Sequence, residues 1–419
     1  MLRVIEPRDV PRRRRAFSRE SRAQAAAIVD RVRAGGLPEL ELCAREFDGC
    51  SDPVRALEPE DLDAARRRLD PETASLLERT ARRIESFARD QRNALRDVTV
   101  ERDGLAMGHR AFPLATAGCY VPGGRYPLPS SALMTVIPAR VAGVSRVTVA
   151  TPNPNDTVLA AAAIAGADSV LPVGGAHAIA ALAYGVAGPA CDIVVGPGGE
   201  FVTAAKAIVS EDVRIDMLAG PSELAILADA SANPTTVAAD LIAQAEHDPL
   251  ALPILITDVP HVIERTQVAL EHALLDLPTR DTAIAAVRRG FAVRTRDLTE
   301  SIAVSERIAA EHVELMLADA ATVAPLLTKY GALFIGSTAA EVLGDYGVGP
   351  NHTLPTGGTP SQRGGLSVLD FLRLPTWVEV RDPAAAQGAV QDATEFAREE
   401  GLEGHARSAE KRGIDALAP

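Results

Sequence analysis

The chain is 419 residues long, enough for on the order of two or three domains. Hydrophobic residues make up 47% and charged residues 24%, the balance of a soluble globular protein; aromatics are only 4%, so the core must be built from Ala, Val, Leu and Ile. The net charge of −13 argues against a general nucleic-acid binder, because phosphate contacts need clustered Lys and Arg.

The dense basic cluster Arg12 to Arg15 reads as a solvated start to the first helix. Residues 17–95 are expected to be helical, since segments such as Glu78 to Gln91 carry apolar residues at helical spacing with charge on the other face. Pro and Gly become frequent from Pro113 to Pro129. Short strands and helices then alternate. Strands are expected at Val147 to Ala150, Ser169 to Val173 and Asp192 to Val195. Helices are expected at Asp156 to Ala165, His177 to Tyr184 and Phe201 to Ser210. The alternation resumes with strands Glu223 to Ala228 and Pro253 to Thr257 around the helix Thr235 to His247, and a later strand at Gly331 to Ile335. Ala384 to His405 reads as a helix followed by a turn at Gly401 and Gly404. This order predicts an α/β fold with two parallel-sheet units covered by helices.

Cys43, Cys50, Cys119 and Cys191 are scattered without a CxxC pair, which suits a reducing compartment and offers no thiolate zinc site. The N-terminus lacks a signal pattern, and no apolar run reaches the roughly 18 residues a membrane span needs. A cytoplasmic protein without membrane or nucleic-acid partners is expected. Gly-rich stretches follow the strands Ser169 to Val173 and Asp192 to Val195, where α/β sheets bind ligands. No GxGxxG or Walker pattern accompanies them, so glycine alone does not establish a nucleotide site.

Several polar residues stand where chemistry is possible. Gln244 and His247, three apart on the expected helix, share a face. They are either a metal-binding pair or a polar helix C-terminus favoured by the dipole. Glu311 and His312 fall in an expected helix Ser305 to Leu317, with Ser305 as N-cap. There His312 interrupts an apolar stripe, either as a core histidine or as a partly buried general base, with Glu311 beside it for a second proton transfer. Asp345, in a turn-rich polar loop running to Gly358, is a possible carboxylate ligand. His405 alone reads as an exposed tail residue.

Together these segments resemble the histidinol dehydrogenase family over nearly the whole chain. The resemblance is carried by Tyr120-Val121-Pro122-Gly123-Gly124-Arg125, Gly174-Gly175-Ala176, Ala219-Gly220-Pro221-Ser222-Glu223, Gln244-Ala245-Glu246-His247-Asp248-Pro249, Ala310-Glu311-His312, Asn351-His352 and Glu400-Gly401-Leu402 with His405. It implies two Rossmann-like parallel-sheet domains with small helical terminal segments, in a domain-swapped homodimer. The implied division is an arm at 1–24, a first domain at 25–119 and 224–366, an NAD-binding domain at 120–223, and a tail at 367–419. It implies zinc held by Gln244, His247, Asp345 and His405, with NAD accepting hydride. His312 and Glu311 are the implied acid/base pair, and Ser222, Gln244, His247, His312, Asp345, Glu400 and His405 the implied substrate contacts. The implied reaction is oxidation of histidinol to histidine in two hydride transfers. Cofactor contacts map to Tyr120, His177 and Gly199; the last two stand where the family has Gln and Asn. With the altered segment Ser361 to Gly365, they leave open a related dehydrogenase for another small polar alcohol, such as a sulfonated diol.

Overall fold

The computed structural model describes residues 1–11, 16–123 and 127–413; the Arg12 to Arg15 cluster and Gly124-Arg125 of the first motif lie outside the described residues. Two compact units emerge, Met1–Arg92 with Leu114–Phe371, and Asn93–Pro113 with Leu372–Pro419.

The larger unit is built on two sheets. A five-stranded sheet has the spatial order Ser169–Leu171, Arg146–Ala150, Thr116–Tyr120, Ile193–Val195, Arg214–Ile215, every pair parallel. Parallel neighbours need crossovers, and helices Pro129–Ala142, Asp156–Ala165, Gly175–Tyr184 and Glu200–Val209 intervene between its strands. Local chemistry marks their ends. The Asn155 side chain accepts from the Val158 amide at 3.0 Å to open one helix, and Gly166 closes it in the left-handed conformation. The central strand Thr116–Tyr120 lies inside the stretch read only as Pro- and Gly-rich. Its Gly118 explains both facts: a Cβ there would stand 3.0 Å from Leu182 Cβ and 3.1 Å from Cys191 Sγ, so close packing requires a residue that weakens the strand signal.

A six-stranded parallel sheet has the order Arg3–Ile5, Phe291–Arg294, Leu252–Thr257, Glu223–Ala228, His312–Met316, Ala332–Ile335. Glu223–Ala228 and Leu252–Thr257 are buried at every position, as strands covered on both faces must be. Apart from Arg3–Ile5, this sheet repeats the path of the first. The chain begins on a central strand, fills one side, then returns to fill the other. The two expected parallel-sheet units are therefore present, with the same strand order.

Packing departs from the expected grouping in three places. Segment 1–24 opens with a strand, Arg3–Ile5, paired with Phe291–Val293; among its described residues a single 3-10 turn, Pro7–Asp9, precedes the α-helix that starts at Arg19. Helix Arg19–Cys43 places Ala25, Val29, Val32 and Leu40 in one core with Ile179, Leu182 and Ala205, so it belongs with the five-stranded sheet rather than with residues 224–366. Helix Pro59–Arg68 follows it, and Arg68 clasps Asp156 at 2.6 and 2.8 Å.

The smaller unit is more than the tail at 367–419. The hairpin Val98–Arg102 and Leu105–His109 accepts Thr376–Val380 as a third antiparallel strand. Its turn is Asp103-Gly104, both at positive φ, the turn chemistry that pairs tightly linked strands. The expected tail helix is Gln387–Glu399, the expected turn falls at Gly401 with φ +76°, and Gly404 lies instead in a second helix, Glu403–Glu410.

Candidate active site at the strand ends of the larger unit

A cleft of about 810 Å³ opens in the larger unit. Pro122, Pro197, Gly198 and Gly199 line it from loops that follow Thr116–Tyr120 and Ile193–Val195. These two strands are neighbours where the order of the five-stranded sheet reverses, the place where such sheets hold ligands. The six-stranded sheet contributes from its other end. Ser222, Glu311 and His312 line the cleft at the amino ends of Glu223–Ala228 and His312–Met316, which are adjacent at that sheet's own reversal point. The carboxyl-end expectation thus holds for one sheet and is inverted for the other.

The expected helix Ser305 to Leu317 is corrected. The helix is Leu298–Ile308, capped by Asp297, whose side chain accepts from the Glu300 amide at 2.8 Å. Ala309 ends it in the left-handed region, and His312–Met316 is a strand between Glu223–Ala228 and Ala332–Ile335. A short apolar run carries no period that separates strand from helix; here pairing on both sides decides it.

His312 is buried. Its Nδ1 lies 3.1 Å from the Glu223 carbonyl oxygen, which can only accept, so Nδ1 carries the proton and Nε2 keeps its lone pair. Burial pushes its pKa down to about 4, leaving the imidazole neutral near pH 7. Glu311 accepts from the Glu223 amide at 2.9 Å, yet burial raises its pKa well above the usual carboxylate range.

Helix Pro234–His247 starts after Asn233, whose side chain accepts from Thr235 N at 2.9 Å, and buries Val237, Ala238, Leu241 and Ala245. Gln244 shares that buried surface, and neither polar atom of its side chain has a hydrogen-bond partner. His247, on the last turn, reaches Asp345: Nε2 is 3.4 Å from Oδ2. The other Asp345 oxygen is 3.9 Å from His312 Nε2. The hydrogen bond with Asp345 raises the His247 pKa. Burial works to raise Asp345, but the His247 bond and the charges of the surrounding histidines outweigh it and lower it. His352 also lines the cleft, its pKa lowered by burial.

Ser222, His247, Glu311, His312 and Asp345 therefore share one cleft, with Gln244 buried one turn from His247. Glu400 and His405 belong to the smaller unit, both exposed, in a groove of the helix pair that includes Phe396 and Leu402. Gly199 lines the cleft at the N-cap of helix Glu200–Val209. Tyr120 and His177 are buried instead. The Tyr120 hydroxyl accepts from Gly175 N at 3.2 Å. His177 Nε2 is 2.8 Å from Asp48 Oδ2, which also accepts from Gly174 N at 2.9 Å, and the ring stacks on Phe47.

Sequence reasoning missed Glu341. It is buried in the helix Glu341–Asp345, its Oε1 3.6 Å from His312 Nδ1 and 3.9 Å from His247 Nε2. The available signal was its spacing, four residues before Asp345, which places both carboxylates on one face of a helical turn. Behind it, Glu314 Oε1 accepts from Glu341 N at 2.7 Å.

Fold and site together define a two-sheet α/β protein with a buried imidazole–carboxylate centre where strand ends of both sheets meet one cleft. The family model for histidinol dehydrogenase matches residues 11–413. A histidinol dehydrogenase of Thermus thermophilus is 43% identical over 387 residues, 92% of this chain and 93% of that protein. One from Ralstonia nicotianae is 41% identical over 403 residues, covering 93% and 91%. The crystal structure of histidinol dehydrogenase from Elizabethkingia anophelis superposes with a TM-score of 0.92 at 29% identity, covering 98% of both chains. The chain belongs to the histidinol dehydrogenase family.

Proposed function

We propose that this chain oxidises histidinol to histidine with NAD, using a zinc ion held by Gln244, His247, Asp345 and His405. The observation that carries the reading is His312, a neutral imidazole with Nδ1 pinned and Nε2 free, in a cleft shared with Glu311 and with the glycine loop of the five-stranded sheet.

The residues fit a divalent cation. Gln244 is fully buried with both side-chain polar atoms unpartnered, a costly arrangement unless something else binds them. Its oxygen, an imidazole nitrogen and a carboxylate are donors zinc accepts. Bound there, zinc would hold and orient the polar substrate. The loops fit a dinucleotide: Gly198 and Gly199 precede helix Glu200–Val209, whose free amides suit a phosphate.

His312 takes the alcohol proton at Nε2 as hydride leaves for the nicotinamide, giving the aldehyde and NADH. Glu311 is assigned to water. It must first lose the proton that burial favours, and the cationic amine of a bound histidinol would work in that direction. Glu311 takes a proton from the water that adds to the aldehyde, and His312, its first proton passed to solvent, takes the hydrate's hydroxyl proton as the second hydride would leave for a second NAD, giving the carboxylic acid, which ionises to solvent. Histidinol is favoured over a sulfonated diol by the relatives: histidinol dehydrogenases 43% and 41% identical to this chain cover more than nine tenths of it.

Glu400 and His405 are assigned to the partner's site in a domain-swapped homodimer. Support comes from the exposed apolar surface beside them: Phe396 is 69% and Leu402 44% exposed.

Incubating purified protein with NAD and either histidinol or a sulfonated diol, and following NADH, tests the reading. About two NADH per histidinol, abolished by chelation and restored by Zn²⁺, is expected. Turnover of the diol alone supports the related-dehydrogenase alternative, and full activity in metal-free protein removes zinc from the reading.

A further inference from the structure

We infer, on the reading that NAD binds at the glycine loop, that Lys206 and Asp216 are a positioning pair for the cofactor. Buried behind the loop, they fix Gly196-Pro197-Gly198-Gly199 in a shape that receives a dinucleotide. Both stand outside the contacts carried by family resemblance.

The pair is enclosed: Lys206 is 2% and Asp216 0% exposed. Its members form an ion pair with each other, and both hold the same residue of the loop. Lys206 Nζ donates to the Gly196 carbonyl oxygen at 2.8 Å, and Asp216 Oδ2 accepts from the Gly196 amide at 2.7 Å. Asp216 Oδ1 accepts in addition from Met217 N at 2.6 Å. An ion pair this deep loses more in desolvation than apolar side chains of similar volume would, so packing alone does not require it. What it supplies is the capture of both polar groups of Gly196. That residue has φ +116°, and a Cβ there would stand 2.1 Å from the Tyr120 carbonyl oxygen. The position admits no side chain of its own to anchor the loop, so the anchor comes from behind.

The direction of these bonds suits an anion. Lys206 draws the Gly196 carbonyl inward, where its partial negative charge does not oppose a phosphate. One turn earlier on helix Glu200–Val209, Thr203 Oγ1 donates to the Ala219 carbonyl oxygen at 2.8 Å and lies 3.4 Å from that of Gly198. The Gly198 carbonyl thus faces the helix. A trans peptide sets its N–H opposite its C=O, so the Gly199 N–H is turned the other way, toward the cleft that Gly198 and Gly199 line. A glycine loop left free would lose its conformational freedom on binding; one already fixed does not.

The test compares wild type with Lys206→Met, which keeps the stem and removes the cation while Asp216 keeps its two backbone donors. NAD affinity by titration calorimetry, steady-state kinetics, melting temperature and amide hydrogen exchange of Gly196 in NAD-free protein are the readouts. Lys206→Met should weaken NAD by about 10-fold and speed Gly196 exchange by about as much. At saturating NAD, its kcat and histidinol KM should stay within about threefold of wild type. NAD affinity within about twofold of wild type overturns the inference, as does a loss shared equally between NAD and histidinol, which is general damage to the fold. Wild type supplies a measurement independent of how the variant folds. Without NAD, its Gly196 amide should exchange at least about 10³-fold slower than an unprotected peptide, and free exchange there overturns the inference. Wild type that binds no NAD is instead the failure of the dinucleotide reading, and removes the inference with it.

Discussion

His312 Nδ1 and the Glu223 carbonyl oxygen stand 3.1 Å apart across two paired strands of the six-stranded sheet. A contact between strand backbone and ring fixes which nitrogen faces the cleft, and does so with the rigidity of a sheet rather than a loop. The base is oriented before any substrate arrives.

Replacing His312 with Asn should therefore lower kcat/KM for histidinol by about 10²- to 10⁴-fold, the range for loss of a general base. NAD affinity should stay within about twofold, because the imidazole is assigned to the alcohol. Steady-state kinetics with an independent NAD titration measure both. Retention of more than about a tenth of the activity removes His312 from the role of base.

The two departures from family pattern at the cofactor side should behave differently. Gly199 has φ −66° and nothing within 4 Å of where a Cβ would stand, so Gly199→Asn fits without strain. It should tighten NAD by up to about 1 kcal/mol through one regained hydrogen bond. His177→Gln should not help. The imidazole is tied to Asp48 and stacked on Phe47, and its loss should destabilise the fold by about 1–3 kcal/mol. Chemical denaturation beside NAD titration separates the two. Tighter NAD binding by His177→Gln at unchanged stability contradicts this assignment.

Glu314, buried, and Asp240, half-buried, form an acid pair behind Glu341. Each has a buried carboxylate oxygen without an ordinary partner, as expected where one proton is shared. Burial drives the Glu314 pKa from its ordinary 4.5 up to about 8. A raised carboxyl pKa means the folded state binds more protons, so this stability is fully present below 4.5 and is lost as pH rises through 8. The melting temperature should fall between about pH 5 and 8. Glu314→Gln, which supplies an amide donor to Asp240, should flatten that fall. Equal slopes in wild type and mutant count against a shared proton.

The placement of Glu400 and His405 on an exposed helix pair predicts complementation. His405→Ala and a Glu311→Ala/His312→Ala double mutant should each be inactive alone. After proven subunit exchange, mixed dimers should regain about a quarter to a half of the activity, since some pairs then hold one complete site. Silence of the exchanged mixture places both residues in their own chain's site.

Most regular elements were legible because their signals are local. Asp156–Ala165 follows from an Asn cap and a left-handed Gly at its ends, and Glu223–Ala228 from its continuous apolar run. The Asp103-Gly104 turn was equally local, and marks a hairpin that the helical reading of the preceding segment obscured. Thr116–Tyr120 was not legible: a strand buried by its neighbours can afford Gly and Ala where an isolated strand signal needs Val and Ile.

The sequence by itself determined the α/β class, the doubled parallel-sheet plan and the identities of the polar residues that could act, because periodicity, caps and motif spacing are written along the chain. Tertiary structure decided what those residues face. Ring position in His312 depends on a strand 89 residues away, and the burial that lowers its pKa on every layer packed around it. Glu341 became visible only once the fold brought its Oε1 within 4 Å of two histidines from separate elements. His177, read as a cofactor contact, turned out to be bound to Asp48, 129 residues distant. Hydrogen bonds and desolvation act over a few ångströms of space, and chain separation alone does not specify which groups come that close.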